Sequence, residues 1–289
     1  MKTKLYNDIQ ISLQQIQDNQ AGLNSELLQM NYTSAVCLGH FSEEELRQLQ
    51  SELELSQVIQ RGLLPQQVPS IEGMNLAAFN RPAQIVGGDY FDFVDFKDGK
   101  HGFVMADVSG HGVSAGMFMS SLQTAFHTLV PEADSPLDVL ERINRLYIQT
   151  ISFATFVTIF FGKYDPQTRT LSYANAGHSS AYLHRVATDQ EIWLRPTGPA
   201  IGLTEGFAIR RQDIKLEPGD ILLLYTDGIT EATNHQGMFW GEDRLADIIR
   251  QNADSSAGRL IQKIVTALKD HMDGNPLDDD VTLVISKVY

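Results

Sequence analysis

Hydrophobic positions along the chain follow two different rhythms. Over residues 1–65 they recur at intervals of three and four: Ile9, Leu13, Ile16, Leu23, Leu27 and Met30 share one seam if Gln20 fills the missing position. That spacing predicts a helix with one apolar stripe. A dimeric coiled coil and a helix docked on the domain that follows both remain open, because the seam is short and Gly22 interrupts it. A second helix is announced by Ser42 with Glu45 three positions on, the capping-box pattern, and continues through Leu46, Leu49, Leu53 and Ile59. Pro65 should stop it near Leu64, and "PQQVPS" then reads as an extended joint.

From about residue 71 the rhythm changes to short apolar runs separated by turn residues. "HGFVMADV", "FVTIFFGKYD", "LSYANAG", "AYLHRV", "ILLLYTD" and "VTLVISKV" read as strands. Several follow one another directly, which favours antiparallel pairing over repeated βαβ units. Helices are expected at 113–129, at 136–150 behind Ser135 and Pro136, and at 256–271, where Leu260, Ile261, Ile264, Val265 and Leu268 share a face. The organisation is therefore a helical regulatory or dimerisation segment with a linker helix at 1–65, and an α+β layered domain at 66–289.

Composition narrows the partners. Acidic residues outnumber basic ones 36 to 22, a formal net charge of -14, so the basic footprint of a nucleic-acid binder or a polybasic membrane anchor is missing. The longest apolar stretch, "FATFVTIFFG", is about half of a membrane span, and the first residues lack a signal-peptide core. A single cysteine, Cys37, forbids an intrachain disulfide. No nucleic acid, no membrane and a cytoplasmic setting are the expectations.

The candidate chemistry lies in carboxylates that share a pattern. Asp107 closes the apolar run of "FVMADVSGHG", Asp227 closes "ILLLYTD", and Asp279 and Asp280 precede "VTLVISKV". If those strands are neighbours, the acids meet at one edge, with Asp89 and Asp92 of "GGDYFD" beside them. Crowded carboxylates do not all stay ionised without cations. Oxygen-only donors suit Mg²⁺ or Mn²⁺, and two such ions activate water and clamp a phosphoryl group.

Taken together, "VGGDYFDF", "MADVSGHGVSAGMFMS", "LSYANAGHSSAYL", "LLYTDGITEATN", "FWGEDRL" and "DDDVTLVI", with "IQRGLLPQQVP" upstream, resemble the SpoIIE and RsbU branch of the metal-dependent PPM serine/threonine phosphatases. The resemblance covers roughly residues 55–288. It implies an αββα sandwich of two antiparallel sheets flanked by helices, with two Mn²⁺ or Mg²⁺ ions holding a nucleophilic water. Carried over by motif, Asp107 would bridge the ions, Val108 would offer its carbonyl, Asp227 and Asp279 would complete one site, and Asp89 would serve the other. Asp280 is the alternative to Asp279 in "DDDVT". The implied substrate is a phosphorylated STAS-domain protein of the anti-anti-sigma type, in a bacterial partner-switching pathway, and the N-terminal helices imply a homodimer. The phosphate-holding arginine of other PPM branches has no clear counterpart; Arg81 is a weak candidate.

Rival readings are testable on named residues. Gly112 to Gly116 is a formal G-x-S-x-G match, with Asp227 and His271 downstream of Ser114, although Ser114 lies seven residues beyond Asp107 instead of at the strand end. Glu43 stands where a cysteine phosphatase loop from Cys37 needs arginine, and "SGHG" lacks a P-loop lysine. The eight histidines show no zinc spacing; His111 and His178 lie in motif segments, where either a contact to substrate or the metal-bound water or, favoured at least about twofold, a structural role in a turn is open. A regulatory adaptor that kept the fold but not the chemistry would have lost metal aspartates, and here all are present.

Overall fold

In the computed structural model, which describes residues 42–150 and 155–289, the strands form two antiparallel five-stranded sheets. The first runs β1 (Met74–Arg81), β10 (Val281–Val288), β9 (Ile221–Tyr225), β6 (Ala181–Arg185), β7 (Gln190–Leu194). The second runs β2 (Tyr90–Asp95), β3 (His101–Val108), β4 (Val157–Asp165), β5 (Thr170–Ala176), β8 (Gln212–Lys215). Between them pack Phe103, Met105, Phe160, Tyr173, Leu222, Leu224 and Val284.

Strand periodicity decides which side chains enter that layer. In β3, Phe103 and Met105 face the other sheet, while Val104, Ala106 and Val108 point outward beneath the helices. The outer face of the second sheet is covered by α2 (Gly112–Leu129) and α3 (Pro136–Thr150), through Met119, Leu122, Phe126, Leu140 and Ile143. The first sheet is covered by α5 (Glu242–Gln251) and α6 (Ala257–Met272); α6 packs on β1 and β10 with Leu260, Ile264 and Leu268 buried. Both sheets are buried on both faces, which is why their central strands read as nearly continuous apolar runs. The αββα sandwich is thus the observed architecture.

Residues 56–289 form one compact unit. Helix α1 (Glu43–Leu63) opens on the expected capping box: Ser42 N–H and hydroxyl donate to Glu45 Oε2 at 2.8 and 2.7 Å, and Glu45 N–H donates to Ser42 Oγ at 3.3 Å. It ends before Pro65. Its apolar stripe differs from expectation, since Leu49 and Ile59 are 46% and 58% exposed, and the buried residue of the helix is Gln60. The seam from Ile9 to Met30 lies outside the described residues. Among those described, no helix is long and apolar enough to cross a membrane.

Candidate metal centre

Antiparallel pairing brings the carboxylates together. The end of β9 lies beside the start of β10, which gathers Asp227 with Asp279 and Asp280; the end of β3 lies beside the start of β2, which gathers Asp107 with Asp89. Residue parity then aims them. Asp107 continues the inward face of Phe103 and Met105, and Asp89 continues that of Phe91. Asp227 follows the strand as the first residue of a short helix, α4 (Asp227–Thr230).

Asp92 does not join them. Three residues from Asp89, it falls on the opposite face of β2, where its Oδ2 accepts from the Tyr90 hydroxyl at 2.7 Å and from His127 Nε2 of α2 at 2.8 Å. The expectation that both aspartates of "GGDYFD" flank one cluster is corrected by that odd spacing.

The cluster is graded by depth. Asp279 is exposed, Asp107 and Asp227 are half-buried, and Asp89 and Asp280 are buried. Burial pushes the Asp107 carboxyl up to about 7, and the neighbouring charges of Asp227, Asp279 and Asp280 add to it. Asp227 is raised by burial and then by Asp279 and Glu231. Asp89 stands well above the usual carboxylate range, through burial first and the charges of Asp280 and Asp107 next, although the Thr282 and Thr226 hydroxyls donate to its Oδ2 at 2.5 and 2.8 Å.

Asp280 has a different occupation. Its Oδ1 accepts from Ala83 N–H at 2.7 Å, and its Oδ2 from Gly88 and Asp89 N–H at 2.7 and 3.3 Å. The carboxylate ties the loop before β2 to the start of β10. That approach requires glycine: a Cβ on Gly87 would stand 2.1 Å from Asp280 Oδ2. Asp279 instead accepts, among the described residues, from its neighbour's N–H, Asp280 N at 2.8 Å. The Val108 carbonyl comes within 2.9 Å of where a Gly88 Cβ would be, which places it beside the Asp89 segment.

Among the described residues, no three His, Cys, Asp or Glu side chains close on one point as a finished ligand set. The donor chemistry nevertheless fits a hard divalent cation: the donors are oxygens, and the charged neighbours that raise Asp107 and Asp89 are all carboxylates. A cation would replace that repulsion with attraction.

Other candidates fall elsewhere. Ser114 is exposed in the first turn of α2 and donates to the His111 carbonyl at 3.4 Å. His271 receives Arg244 Nη1 on Nδ1 at 2.9 Å and donates from Nε2 to the Met238 carbonyl at 3.0 Å, so it has no free base for a serine triad. Arg81 shares the outward parity of Asn75, whose side chain caps α6. Thr226, Thr282 and Gln60 went unforeseen as partners of the site. Thr282 had a signal, a hydroxyl at an inward position of an apolar strand.

The two sheets, the helix layers and the acids at one end of the sandwich define the fold of the PP2C or PPM class. The family model described as Stage II sporulation protein E (SpoIIE) matches residues 97–289. Phosphoserine phosphatase RsbU of Bacillus subtilis (strain 168) is 30% identical over 239 residues, spanning 83% of this chain and 70% of that protein. The SiaA-PP2C domain of Pseudomonas aeruginosa superposes with a TM-score of 0.75 at 23% identity, covering 86% of this chain and 100% of that one. The RsbU and RsbW domains of Rv1364c from Mycobacterium tuberculosis give a TM-score of 0.65 at 28% identity, covering 78% and 63%. The chain belongs to the SpoIIE family, in the RsbU-type branch of the metal-dependent PPM protein serine/threonine phosphatases.

Proposed function

We propose that the acidic end of the sandwich is a two-metal phosphatase centre, loaded with Mn²⁺ or Mg²⁺, that hydrolyses phosphoserine or phosphothreonine on a protein. The observation that carries this is the meeting of Asp107 from one sheet with Asp227 and Asp279 from the other, at a place where their charged neighbours are acids. Asp107 would be shared by the two ions, with the Val108 carbonyl beside it. Asp227 and Asp279 would help to hold one ion, and Asp89 would serve the other. Asp279 is favoured over Asp280 because the oxygens of Asp280 are engaged by backbone N–H groups. Asp280 and the two threonine hydroxyls hold the loop and Asp89 in place.

When bound, such ions lower the pKa of water and neutralise phosphoryl charge. The chain's own contribution is to hold oxygen donors from both sheets at fixed spacing and to keep the deepest of them, Asp89, out of water. The substrate in this reading is a phosphorylated STAS-domain protein of a partner-switching pathway; the support is the likeness to RsbU, which is named a phosphoserine phosphatase. Hydrolysis of a simple aryl phosphate with Mn²⁺, Mg²⁺ or chelator tests the chemistry. Metal-dependent turnover should fall at least about a thousandfold in Asp107→Asn, as for a group acting directly on the transition state. Tight Mn²⁺ binding without turnover would favour the adaptor reading, and activity that survives chelation but not Ser114→Ala would favour the serine hydrolase.

The helical segment is proposed as a regulator and homodimerisation element. Support comes from Gln60, whose amide Nε2 donates to the Gly87 carbonyl at 2.6 Å and whose Oε1 accepts Gly87 N–H at 3.0 Å. Gly87 lies two residues from Asp89, so movement of α1 pulls on the metal centre. Removing residues 1–40 should change activity or oligomeric state, read by turnover and light scattering; no change in either would end the idea.

A further inference from the structure

His178 is buried, 3% exposed, in the turn after β5, and the proposed chemistry makes no use of it. Its Nε2 lies 3.2 Å from the Tyr225 carbonyl, which only accepts, so Nε2 carries the proton. Nδ1 is then an acceptor, and the Thr158 hydroxyl, 2.8 Å away, donates to it. Burial supports this neutral tautomer by holding the imidazole down at about 4. The backbone on either side is also held: His178 N–H donates to Asn175 Oδ1 at 2.8 Å, and Gly177 supplies the left-handed turn at φ 69°.

The two partners of the ring are not equivalent scraps of core. Thr158 is the cross-strand partner of Asp107, on the same inward face of the second sheet. Tyr225 is the last residue of β9 in the first sheet, two positions before Asp227. One rigid, uncharged ring therefore spans the sandwich between the residue beside one carboxylate and the backbone that leads to another.

We propose that His178 is a positioning residue that fixes the separation of Asp107 and Asp227, and so tunes the affinity of the centre for divalent cations. This rests on the metal-centre reading above. Neither Thr158 nor His178 donates to a cation; they act through the strands. A plain structural role would lower stability without acting selectively on the cation, whereas a positioning role moves cation affinity in step with the Thr158 to His178 hydrogen bond. Supporting partners of ligand residues typically cost about 10–100-fold in metal affinity when removed.

The test uses the full chain and Mn²⁺ alone, with the dissociation constant read from the electron paramagnetic resonance signal of free Mn²⁺, and thermal stability measured in parallel without metal. Thr158→Val keeps the shape but cannot donate to Nδ1, and should weaken Mn²⁺ binding by about 10–100-fold. Thr158→Ser restores the hydroxyl and should bind close to wild type. Leu260→Ala, which opens the α6 core far from this bridge in the sequence, is the stability control and should melt earlier with its Mn²⁺ affinity kept. Thr158→Val binding like wild type, or Leu260→Ala weakening Mn²⁺ binding equally, overturns the positioning role alone. A wild-type protein with no Mn²⁺ affinity overturns the metal centre and the positioning role with it.

Discussion

Strand β9 carries a buried or half-buried aspartate at each end, and the two are treated oppositely. Asp220, before the strand, is 1% exposed; it receives Arg185 Nη2 at 3.3 Å and the Glu217 N–H at 2.9 Å. Asp227, after the strand, has Asp279 and Glu231 as its charged neighbours. The same contrast repeats across the sandwich. At the far end, Lys163 pairs with Asp98 at 2.9 Å, His101 with Asp95 at 2.7 Å, and Lys287 Nζ closes on the Ala253 carbonyl. One end of the molecule sets its acids beside bases, while the other sets acids beside acids. An acid without a base is costly to fold, and this chain carries that cost at the end where the chemistry is proposed.

Exchanging charge at the two ends of β9 should therefore give unlike results. Asp227→Asn removes a proposed ligand and should cut metal-dependent turnover by about a thousandfold or more, with folding intact and even favoured by reduced repulsion. Asp220→Asn takes from Arg185 the nearer of its two carboxylates, leaving Glu217 at 3.7 Å, and should lose about 1–3 kcal/mol in denaturant melts, with the Mn²⁺ dependence of turnover unchanged. Equal losses of turnover in both variants would erase the distinction between the ends.

How much of this was legible in the sequence follows the same physics. The strands read in advance are the central ones, β3, β4, β5, β6, β9 and β10, because burial on both faces leaves continuous apolar runs. The four that were missed, β1, β2, β7 and β8, are the edges of the two sheets. Edge strands carry polar residues, as in "QEIWL" and "QDIK", and such segments do not stand out from loops. Helix α5 was missed because its buried residues are only Leu245, Ala246 and Ile249 in an otherwise polar run. The meeting of Asp107, Asp227 and Asp279 was legible because strand ends are visible in sequence. The bonds of Gln60 to Gly87 and of His178 to Thr158 were not, since each joins elements far apart in the chain.

The histidines of the two ends sharpen the comparison with a smaller effect. His101, at the far end, takes an aspartate partner; His178, at the acidic end, faces a hydroxyl and a carbonyl and stays neutral. Its folded value of about 4 lies below the ordinary 6.5, so above pH 6.5 neither state is protonated and its contribution is whole. As pH falls from 6.5 toward 4 the unfolded chain takes up a proton that the folded one refuses, costing up to about 1.4 kcal/mol per pH unit. The stability gap between wild type and His178→Gln, from urea melts, should narrow over that window and level below it. A gap that stayed constant from pH 7 to 4 would mean that the imidazole takes up its proton as readily in the folded state as in the unfolded one.

The smallest expected effect comes from the aspartate nearest to the centre in sequence. Asp92 is buried like Asp89 and lies three residues from it, yet its Oδ2 accepts from Tyr90 and His127 on the helix side of β2, and its Oδ1 from the Phe93 N–H at 2.7 Å. Because side chains alternate along a strand, removing its charge leaves the inward carboxylates untouched. Asp92→Asn keeps an oxygen for the Tyr90 hydroxyl and weakens a half-exposed histidine contact, so the loss should stay within about 1 kcal/mol. Asp89→Asn, by contrast, alters a group whose Oδ2 is held by Thr226 and Thr282, and should weaken Mn²⁺ binding measurably. Equal Mn²⁺ affinities for the two variants would show that depth of burial, and not the face of β2, decides which aspartate serves the centre.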